Sequence, residues 1–390
     1  MLYADRPGAV HSLHSLSFFP YLGMHSRGVL CSSNHQELAV SPISKHTDFF
    51  TRTARIKKGG GAKAVEKQLA LGKLTARDRI NALLDVEDLG GARVHTEISG
   101  NAHFYATNEL ECFHQIKKLV TFIPWNNSKR ADTHTPKPPK PSFDIERIIP
   151  LESSKPYDVR DVIRAVCDNS DFFEVQARWA ANIVIGFARL EGETVGIVGN
   201  QPLVLAGVLD VDSSDKAARF IRFCDAFNIP LITFVDLPGY LPGVDQEHAG
   251  VIRHGAKILY AFSEATVPKI TVILRKAYGG GYIAMCSRHL GADFVFAWPT
   301  AEIAVMGPEG AANIIFRNEI NSSSDPDATR KLKVTEYTEK FANPYVAAAS
   351  GHIDAVISPA ETRKLLIHAI QISGQKCEAR PANKHGIPPF

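Results

Sequence analysis

The stretches LITFVDLPGYLPG, residues 231–243, and KITVILRKAYGGGY, residues 269–282, decide the fold of this chain. In each, an apolar run suited to a buried strand ends in a turn rich in glycine or proline, and a helical pattern follows. Glycine lets the backbone approach a ligand closely, and a helix start leaves free N–H groups with a favourable dipole. The pattern therefore predicts α/β units whose turns suit a developing oxyanion, although steric needs alone also place glycine in such turns.

Strand and helix patterns alternate around these two stretches. Strand patterns cover 182–190, 194–200, 292–298 and 300–307, and helical patterns cover 213–228 and 250–265. A Glu191-Gly192 turn joins the first two strands. This alternation indicates an α/β layered domain over residues 149–390. The helical pattern at 250–265 carries more apolar surface than one layer should leave exposed, which predicts homo-oligomerisation.

The chain before residue 129 is predicted to be mainly helical. A basic helical pattern covers 52–84, where Thr75 is a suitable helix cap. A second helical region covers 86–124. Its apolar residues recur at spacings of three, which predicts the inner face of a helix formed by Leu110, Phe113, Ile116 and Leu119.

Two further segments differ in composition from the rest. Residues 129–148 contain Pro136, Pro138, Pro139 and Pro141, which favour extended geometry, so a proline-rich linker and a domain boundary are predicted there. Residues 1–50 are rich in serine and poor in acidic residues. They are predicted to be either a transit-like leader or a disordered N-terminus.

Composition and charge limit the classes of partner. The formal net charge of the 390 residues is +3, and no run of eighteen apolar residues occurs, so neither a nucleic acid nor a membrane is expected as a partner. The six cysteines form no CxxC pair and match no zinc spacing, which predicts reduced thiols and no metal site.

Five segments resemble, in the same order, the C-terminal domain of acyl-CoA carboxylase β subunits. They are GFARLEGETVGIVGNQP, DSSDKAARFIRFCDAFNIPLITFVDLPGYLPG, IRHGAKILYAFSEATVPKITVILRKAYGGGY, AWPTAEIAVMGPEGA and EKFANPYVAAASGHIDAVI. GKLTARDRINALLD and EDLGGARVHTEISGNAH resemble the opening and the end of that family's N-terminal domain. The resemblance implies a biotin-dependent carboxyltransferase, similar above all to propionyl-CoA carboxylase β chains. It also implies one complete crotonase-like copy of the α/β fold at 149–390, and remnants of an N-terminal copy at 51–128.

This family moves a carboxyl group from carboxybiotin to the α carbon of an acyl-CoA, which converts propionyl-CoA to methylmalonyl-CoA. Negative charge develops on the biotin ureido oxygen and on the thioester oxygen, so two oxyanion holes are needed. By position, the N–H groups of Gly280 and Gly281 would hold the biotin oxygen, and Gly281→Val is expected to block approach to them. The biotin pocket would be formed by Pro238, Gly239, Pro242, Gly243, Tyr278 and Gly279. Turn geometry for the glycines and prolines, and core packing for the tyrosines, remain the alternatives.

Two departures from the family pattern affect these expectations. Ile283 lies where many propionyl-specific members carry aspartate, which leaves the acyl group open between the propionyl class and that of acetyl-CoA carboxylases or decarboxylases. Asp85 is followed directly by Val86, where the family has most of its N-terminal domain. The thioester-side hole would lie in that domain, so this chain alone is expected to transfer carboxyl groups poorly.

The resemblance also implies a cofactor and partners. Biotin would be carried on a biotin carboxylase/biotin-carrier α subunit, acyl-CoA would be the substrate, and β subunits would form a homo-oligomer. The expected compartment is the mitochondrial matrix, or the cytoplasm for a bacterial chain. The alternatives are a subunit of a biotin-dependent acyl-CoA decarboxylase, a catalytically inactive assembly partner, or an aberrant gene product.

Overall fold

The two apolar stretches form neighbouring parallel strands at the centre of an eight-stranded sheet. The computed structural model describes residues 51, 52, 54, 60–75, 91–378 and 386–389. The chain divides into two units, Met1–Ile80 and Asn81–Phe390. In the first, helix α1 covers Ala62–Ala70. The predicted leader at 1–50 and most of the helix predicted after Thr75 lie outside the described residues.

The second unit contains the sheet. Its strands are β1 Phe172–Val175, β2 Ile183–Leu190, β3 Glu193–Asn200, β4 Leu231–Leu237, β5 Lys269–Tyr278, β6 Phe294–Ala297, β7 Glu302–Ala304 and β8 Ala355–Val356. The order is β1-β2-β3-β4-β5-β6-β8, and β7 pairs with the end of β5. Strand β2 pairs antiparallel with both β1 and β3, and the pairs from β3 onward are parallel.

Helices lie before, between and after the strands. They are α2 Glu109–Val120, α3 Ile145–Ile148, α4 Val159–Val166, α5 Val211–Ala226, α6 Val244–Ala249, α7 Val251–Glu264, α8 Gly279–Ala284, α9 Pro308–Ile315, α10 Arg317–Ser322, α11 Pro326–Lys340, α12 Pro344–Ala349 and α13 Thr362–Ser373. The predicted α/β alternation is therefore confirmed. Helices alternate with the central strands because the connection between two parallel strands must cross the sheet, usually as a helix.

Both faces of the central strands are buried. On β4, Leu231 and Val235 pack into a core that also contains residues of α5 and α7. The alternate residues Ile232 and Phe234 pack into a second core with residues of α4 and α13. Strands covered on both faces have nearly continuous apolar sequences, which is why 231–237 shows no polar alternation.

The predicted linker lies against the sheet. Asn81–Phe390 forms one unit, so residues 129–148 do not separate two compact bodies. The backbone N–H of His134 donates to the Gly192 carbonyl at 3.0 Å. A side chain on Gly192, at φ 80°, would lie 1.9 Å from the His134 carbonyl oxygen. The hairpin turn predicted at Glu191-Gly192 therefore forms, and its glycine leaves room for the linker.

Two predicted apolar faces differ from expectation. The helix carrying Leu110, Phe113, Ile116 and Leu119 forms as α2, but this face is not an inner one, because the first three side chains are at least half exposed. In α7, by contrast, Ile258 and Phe262 are fully buried. Ile252 is exposed. Helix α7 therefore leaves much less apolar surface exposed than the sequence pattern indicated when it predicted homo-oligomerisation.

Candidate active site

A glycine turn ends strand β5. Tyr278 is the last strand residue, and Gly279 follows with φ 54°, a left-handed conformation that starts α8. A side chain at Gly279 would also lie 2.8 Å from the carbonyl oxygen of Val305. Backbone conformation and packing both require glycine here, so the strand-to-helix transition is explained without any ligand.

The next two glycines differ in their surroundings. Gly280 is exposed, and a Cβ atom added there would have no atom within 4 Å. Gly281 is buried, and its added Cβ would lie 2.8 Å from Leu237 Cδ1 and 2.9 Å from Gly239 Cα. Gly281→Val would therefore disturb the packing of α8 on the neighbouring turn, rather than block the open side as the sequence suggested. Gly280 is the position where a ligand can approach.

The start of α8 has electrostatic properties suited to an anion. The first N–H groups of a helix, here those of Gly279, Gly280 and Gly281, have no carbonyl acceptor within the helix. They lie at the positive end of the helix dipole. The turn is at the carboxyl end of a parallel strand, the edge where open α/β sheets bind ligands.

A second turn, Pro238–Gly243, follows the neighbouring strand β4. Gly239 and Gly243 have φ values of 143° and 142°, which favour glycine. Leu209 holds this turn, because its N–H donates to the Gly239 carbonyl at 3.0 Å and its carbonyl accepts from the Leu241 N–H at 2.7 Å. The packing of Gly281 on Gly239 brings the predicted oxyanion turn and this second turn together. Pro242 is exposed at the same surface.

The two tyrosines beside the glycine turn are mainly buried. The Tyr278 hydroxyl donates to the Glu302 carboxylate, and burial raises the pKa of Tyr278. Tyr282 is also buried, and its hydroxyl has no hydrogen-bond partner among the described residues. Burial raises its pKa to about 12. Both hydroxyls are therefore neutral at pH 7, and the rings pack against the turn.

Asp236, just before the second turn, has a structural role. Its carboxylate accepts from Arg275 Nε at 3.0 Å and from the Lys276 N–H at 3.1 Å. Burial raises the pKa of Asp236, and the Arg275 charge opposes that shift. Arg275 also donates to the carbonyls of Glu152 and Lys155. The pair joins the ends of β4 and β5 to residues 152–155, so Asp236 is not available as a base.

A cavity of about 330 Å³ adjoins the end of β5, and the three glycines of the turn do not line it. Tyr278 and Pro238 line it, as do Lys276, Glu302 and Glu309. No motif in the sequence marks these last three residues as part of a site. Glu302 was within a predicted strand, but its pairing opposite Lys276 follows from the β5–β7 contact, which no local pattern reveals. Ile283, 37% exposed, does not line this cavity.

The described residues contain no cluster of three or more histidine, cysteine or acidic side chains arranged to hold a metal ion. No helix among the described residues is long and apolar enough to cross a membrane.

Residues 71–388 match the family model described as "Carboxyl transferase domain". The chain is 54% identical over 309 residues to the putative propionyl-CoA carboxylase beta chain of Bacillus subtilis, covering 79% of this chain and 60% of that one. It is 55% identical over 307 residues to methylmalonyl-CoA decarboxylase subunit alpha of Veillonella parvula, covering 78% and 58%. The chain thus spans about three-fifths of the length of these curated relatives.

The fold is similar to that of a solved structure. A crystal structure of transcarboxylase 12S, described as a hexamer assembly with methylmalonyl-coenzyme A and methylmalonic acid bound, superposes with a TM-score of 0.75. The identity is 52%, and the match covers 81% of this chain and 62% of the other. The predicted crotonase-like α/β fold is confirmed by this likeness together with the family match.

Proposed function

Because this chain belongs to the carboxyl transferase domain family, we propose that it forms the biotin side of a biotin-dependent carboxyltransferase site. The proposed subunit is the β chain of a propionyl-CoA carboxylase, which converts propionyl-CoA to methylmalonyl-CoA. The observation that carries the proposal is the open position at Gly280, within a turn of three glycines at the carboxyl end of β5.

The residues present fit a planar group that carries a developing negative oxygen. Gly280 leaves open space where any side chain would project, and the α8 N–H groups have no intrahelical acceptor. Bound carboxybiotin, carried on a partner α subunit, would supply the carboxyl group. The N–H groups of Gly280 and Gly281 would donate hydrogen bonds to its ureido oxygen, and one such donor is typically worth about 10²–10³ in rate. Gly239 and Tyr278 would shape the pocket around them.

The second half of the reaction needs groups that we place outside this chain. The thioester oxygen of the acyl-CoA needs its own donors, and the family pattern assigns them to the N-terminal domain expected between Asp85 and Val86. We propose that the chain alone retains slow decarboxylation of carboxybiotin and transfers little to acyl-CoA. Without the acyl-CoA site the reacting groups are not positioned, which removes a large part of the rate enhancement.

A biotin-dependent decarboxylase subunit is the second candidate. The 55% identity to the Veillonella parvula decarboxylase subunit and the presence of Ile283 rather than aspartate favour it. The two candidates differ in partner, so mass spectrometry of proteins that copurify with the native chain separates them. A biotin carboxylase carrying biotin supports the carboxylase, and a membrane sodium pump supports the decarboxylase.

We further propose assembly into a homo-oligomer of β subunits, as the hexameric transcarboxylase 12S structure suggests. Localisation in the mitochondrial matrix, or in the cytoplasm of a bacterium, remains a proposal based on residues 1–50. An inactive assembly role is the outcome expected if carboxybiotin decarboxylation is absent.

The test uses the full chain and two glycine variants. Gly280→Ala places a methyl group in the open position, so release of labelled CO₂ from carboxybiotin should fall at least about tenfold with an unchanged melting temperature. Gly310→Ala is the matched control, because its methyl group would also meet no atom within 4 Å but lies on α9. Equal rates for the Gly280→Ala variant and the unmodified chain would refute the proposed site.

A further inference from the structure

An apolar cavity of about 500 Å³ lies between helix α2 and the sheet. Its walls are mainly aromatic and aliphatic side chains, including Phe104, Ile116, Leu119, Ile185, Phe187 and Phe220. This volume is within the range of small-molecule sites, about 300–1,000 Å³. None of its lining residues belongs to the glycine turn or to the Pro238–Gly243 turn, so it is a separate site.

Two basic side chains give this cavity a polar end. Arg219, on α5, lines it and is exposed. Within the described part of the chain, Arg219 has no ion pair or side-chain hydrogen bond. His103 also lines the cavity, and burial, with the nearby Arg219 charge, lowers the pKa of this imidazole. His103 is therefore neutral at pH 7, and Arg219 provides the positive charge.

A second cavity, of about 440 Å³, adjoins the first and shares Arg219 and Gln176 with it. Two of its lysines already have partners. Lys216 donates to three backbone carbonyls, and Lys257 lies 2.8 Å from the Asp215 carboxylate. Arg222, one helical turn after Arg219, has no carboxylate partner among the described residues and lies 5.5 Å from the centre of the Tyr260 ring. Two guanidinium groups therefore remain available on one face of α5.

The two guanidinium groups set the chemistry of a ligand at this end. Arginine binds carboxylate and phosphate groups in a bidentate manner. The Trp179 indole also lines the second cavity, but its N–H is enclosed by protein atoms and is not offered to a ligand.

We propose that these adjoining cavities bind an amphipathic anion, with a single alkyl chain in the apolar cavity and a carboxylate or phosphate at Arg219. The ligand is a fatty-acid-like carboxylate or a phosphorylated single-chain lipid. The shared chemistry is an unbranched chain ending in an anionic group. This site is distinct from the proposed carboxyltransferase site and does not depend on it.

Equilibrium binding of short amphiphiles to the full chain tests the proposal. The probes are hexyl, octyl and decyl phosphate, decanoate and decan-1-ol, all used below their micelle concentrations. Each added methylene should raise the affinity about fourfold until the cavity is filled. Decyl phosphate or decanoate should bind at least tenfold more tightly than decan-1-ol, and the tighter of the two anions identifies the head group.

The chain contains its own reporter of occupancy. Cys112 lines the apolar cavity and is exposed, whereas Cys377 is exposed elsewhere. Bound decyl phosphate should slow the alkylation of Cys112, measured by peptide mass spectrometry, and leave the alkylation of Cys377 unchanged. Equal protection of both cysteines would indicate general adsorption and overturn the site.

Three variants separate the chain pocket from the head-group pocket. Arg219→Gln should weaken the anions at least tenfold and leave decan-1-ol unaffected. Ile116→Trp, at a half-exposed cavity position, should weaken every probe with a long chain. Arg253→Ala changes an exposed arginine on α7 that lines neither cavity, so it should change nothing.

Melting temperatures establish that each variant is folded. Anion binding unaffected by Arg219→Gln, equal affinity for decyl phosphate and decan-1-ol, or no binding at millimolar probe would each overturn the proposal. No assay step involves carboxyl transfer, so failure here leaves the proposed function standing.

Discussion

Helices α2 and α13 are equal in length but opposite in surroundings. Each is twelve residues long. Helix α13 buries residues such as Leu366 and Ile370 in the core beneath the sheet. Helix α2 has no buried residue.

This contrast shows which features are local and which are not. Helix formation can be specified by neighbouring residues, as by the Asn108 side chain that caps α2, so both helices form. Burial of the apolar face requires a layer from elsewhere in the chain. For α2 the described residues cover this face only in part, which agrees with the expectation that 51–128 is the remnant of a second crotonase-like copy.

Leu366→Ala should have the largest effect on stability. Leu366 is fully buried at the centre of the α13 face, and truncating such a leucine costs about 2–5 kcal/mol of unfolding free energy. Urea unfolding followed by circular dichroism measures the change. The control is Ile372→Ala on the same helix, where the side chain is 58% exposed and the cost should stay within about 1 kcal/mol. Similar losses for both variants would show that α13 is not anchored by this face.

Asp168→Ala should have the next largest effect, because it releases the start of α13. Arg363 on α13 donates to the Asp168 carboxylate at 2.6 Å, and the same carboxylate accepts from the N–H groups of Glu191 and Gly192. Removing one partner of a buried pair leaves the others unsatisfied, and we expect a loss of about 2–3 kcal/mol, since Arg363 is partly exposed.

The matched control for Asp168→Ala is Asp171→Ala. Asp171 pairs with Lys118 on α2, and both side chains are about 40% exposed. Such surface pairs contribute about 0–1 kcal/mol. Urea midpoints for the two variants should therefore differ clearly. If Asp171→Ala were the more damaging change, the α2 side of the molecule would be held more firmly than the α13 side.

Phe122→Ala should loosen the α2 segment more than the whole unit. Phe122 follows α2, is buried, and stacks at 5.9 Å on the rings of both Phe173 and Phe187. The Arg189 guanidinium lies over the Phe122 ring, 4.1 Å from its centre. Phe122 is therefore a main anchor of the segment on the sheet, beside the exposed Lys118–Asp171 pair.

Hydrogen exchange tests that anchor directly. In Phe122→Ala, amides of α2 should exchange faster, while those of β4 and β5 stay protected, because local opening does not require global unfolding. The global loss should remain below about 2 kcal/mol, less than the 3–5 kcal/mol typical of a phenylalanine whose loss unfolds a core. Trp125→Ala, at an exposed position nearby, should leave the exchange rates unchanged. Faster exchange throughout the sheet would mean that α2 belongs to the main cooperative unit.

The sequence predicted what depends on short-range patterns. The apolar runs at 231–237 and 269–276 became the central strands, and the glycine run became a strand-to-helix turn with Gly279 left-handed. The family resemblance identified Gly280 and Gly281 together. It did not distinguish them, because only the packing of Gly281 on Leu237 shows that one glycine faces open space and the other the interior.

The sequence patterns did not predict contacts between residues that lie far apart in the chain. Glu302 accepts from the Tyr278 hydroxyl because β7 lies beside the end of β5, across more than twenty residues. The buried pair of Asp236 and Arg275 needs β4 and β5 to be adjacent. The apolar face of α2 was predicted to be an inner face, and this prediction was wrong. Helical periodicity shows that a helix has an apolar face but not which part of the chain covers it.

Phe113→Ala should have the smallest effect and gives the sharpest test of the contrast. Phe113 is 55% exposed at the middle of α2, so truncation removes little burial within the chain. Alanine also has a higher helix propensity than phenylalanine by a few tenths of a kcal/mol, up to about 0.7, which offsets part of the lost contact. We expect the unfolding free energy to change by less than about 0.5 kcal/mol, as for ordinary surface substitutions.

Urea unfolding at two protein concentrations, tenfold apart, makes the result informative. A loss well above 1 kcal/mol that grows with protein concentration would show that the α2 face is covered in solution by another copy, because only an associated state is stabilised by mass action. The contrast between α2 and α13 would then hold within one chain but not in the assembled protein.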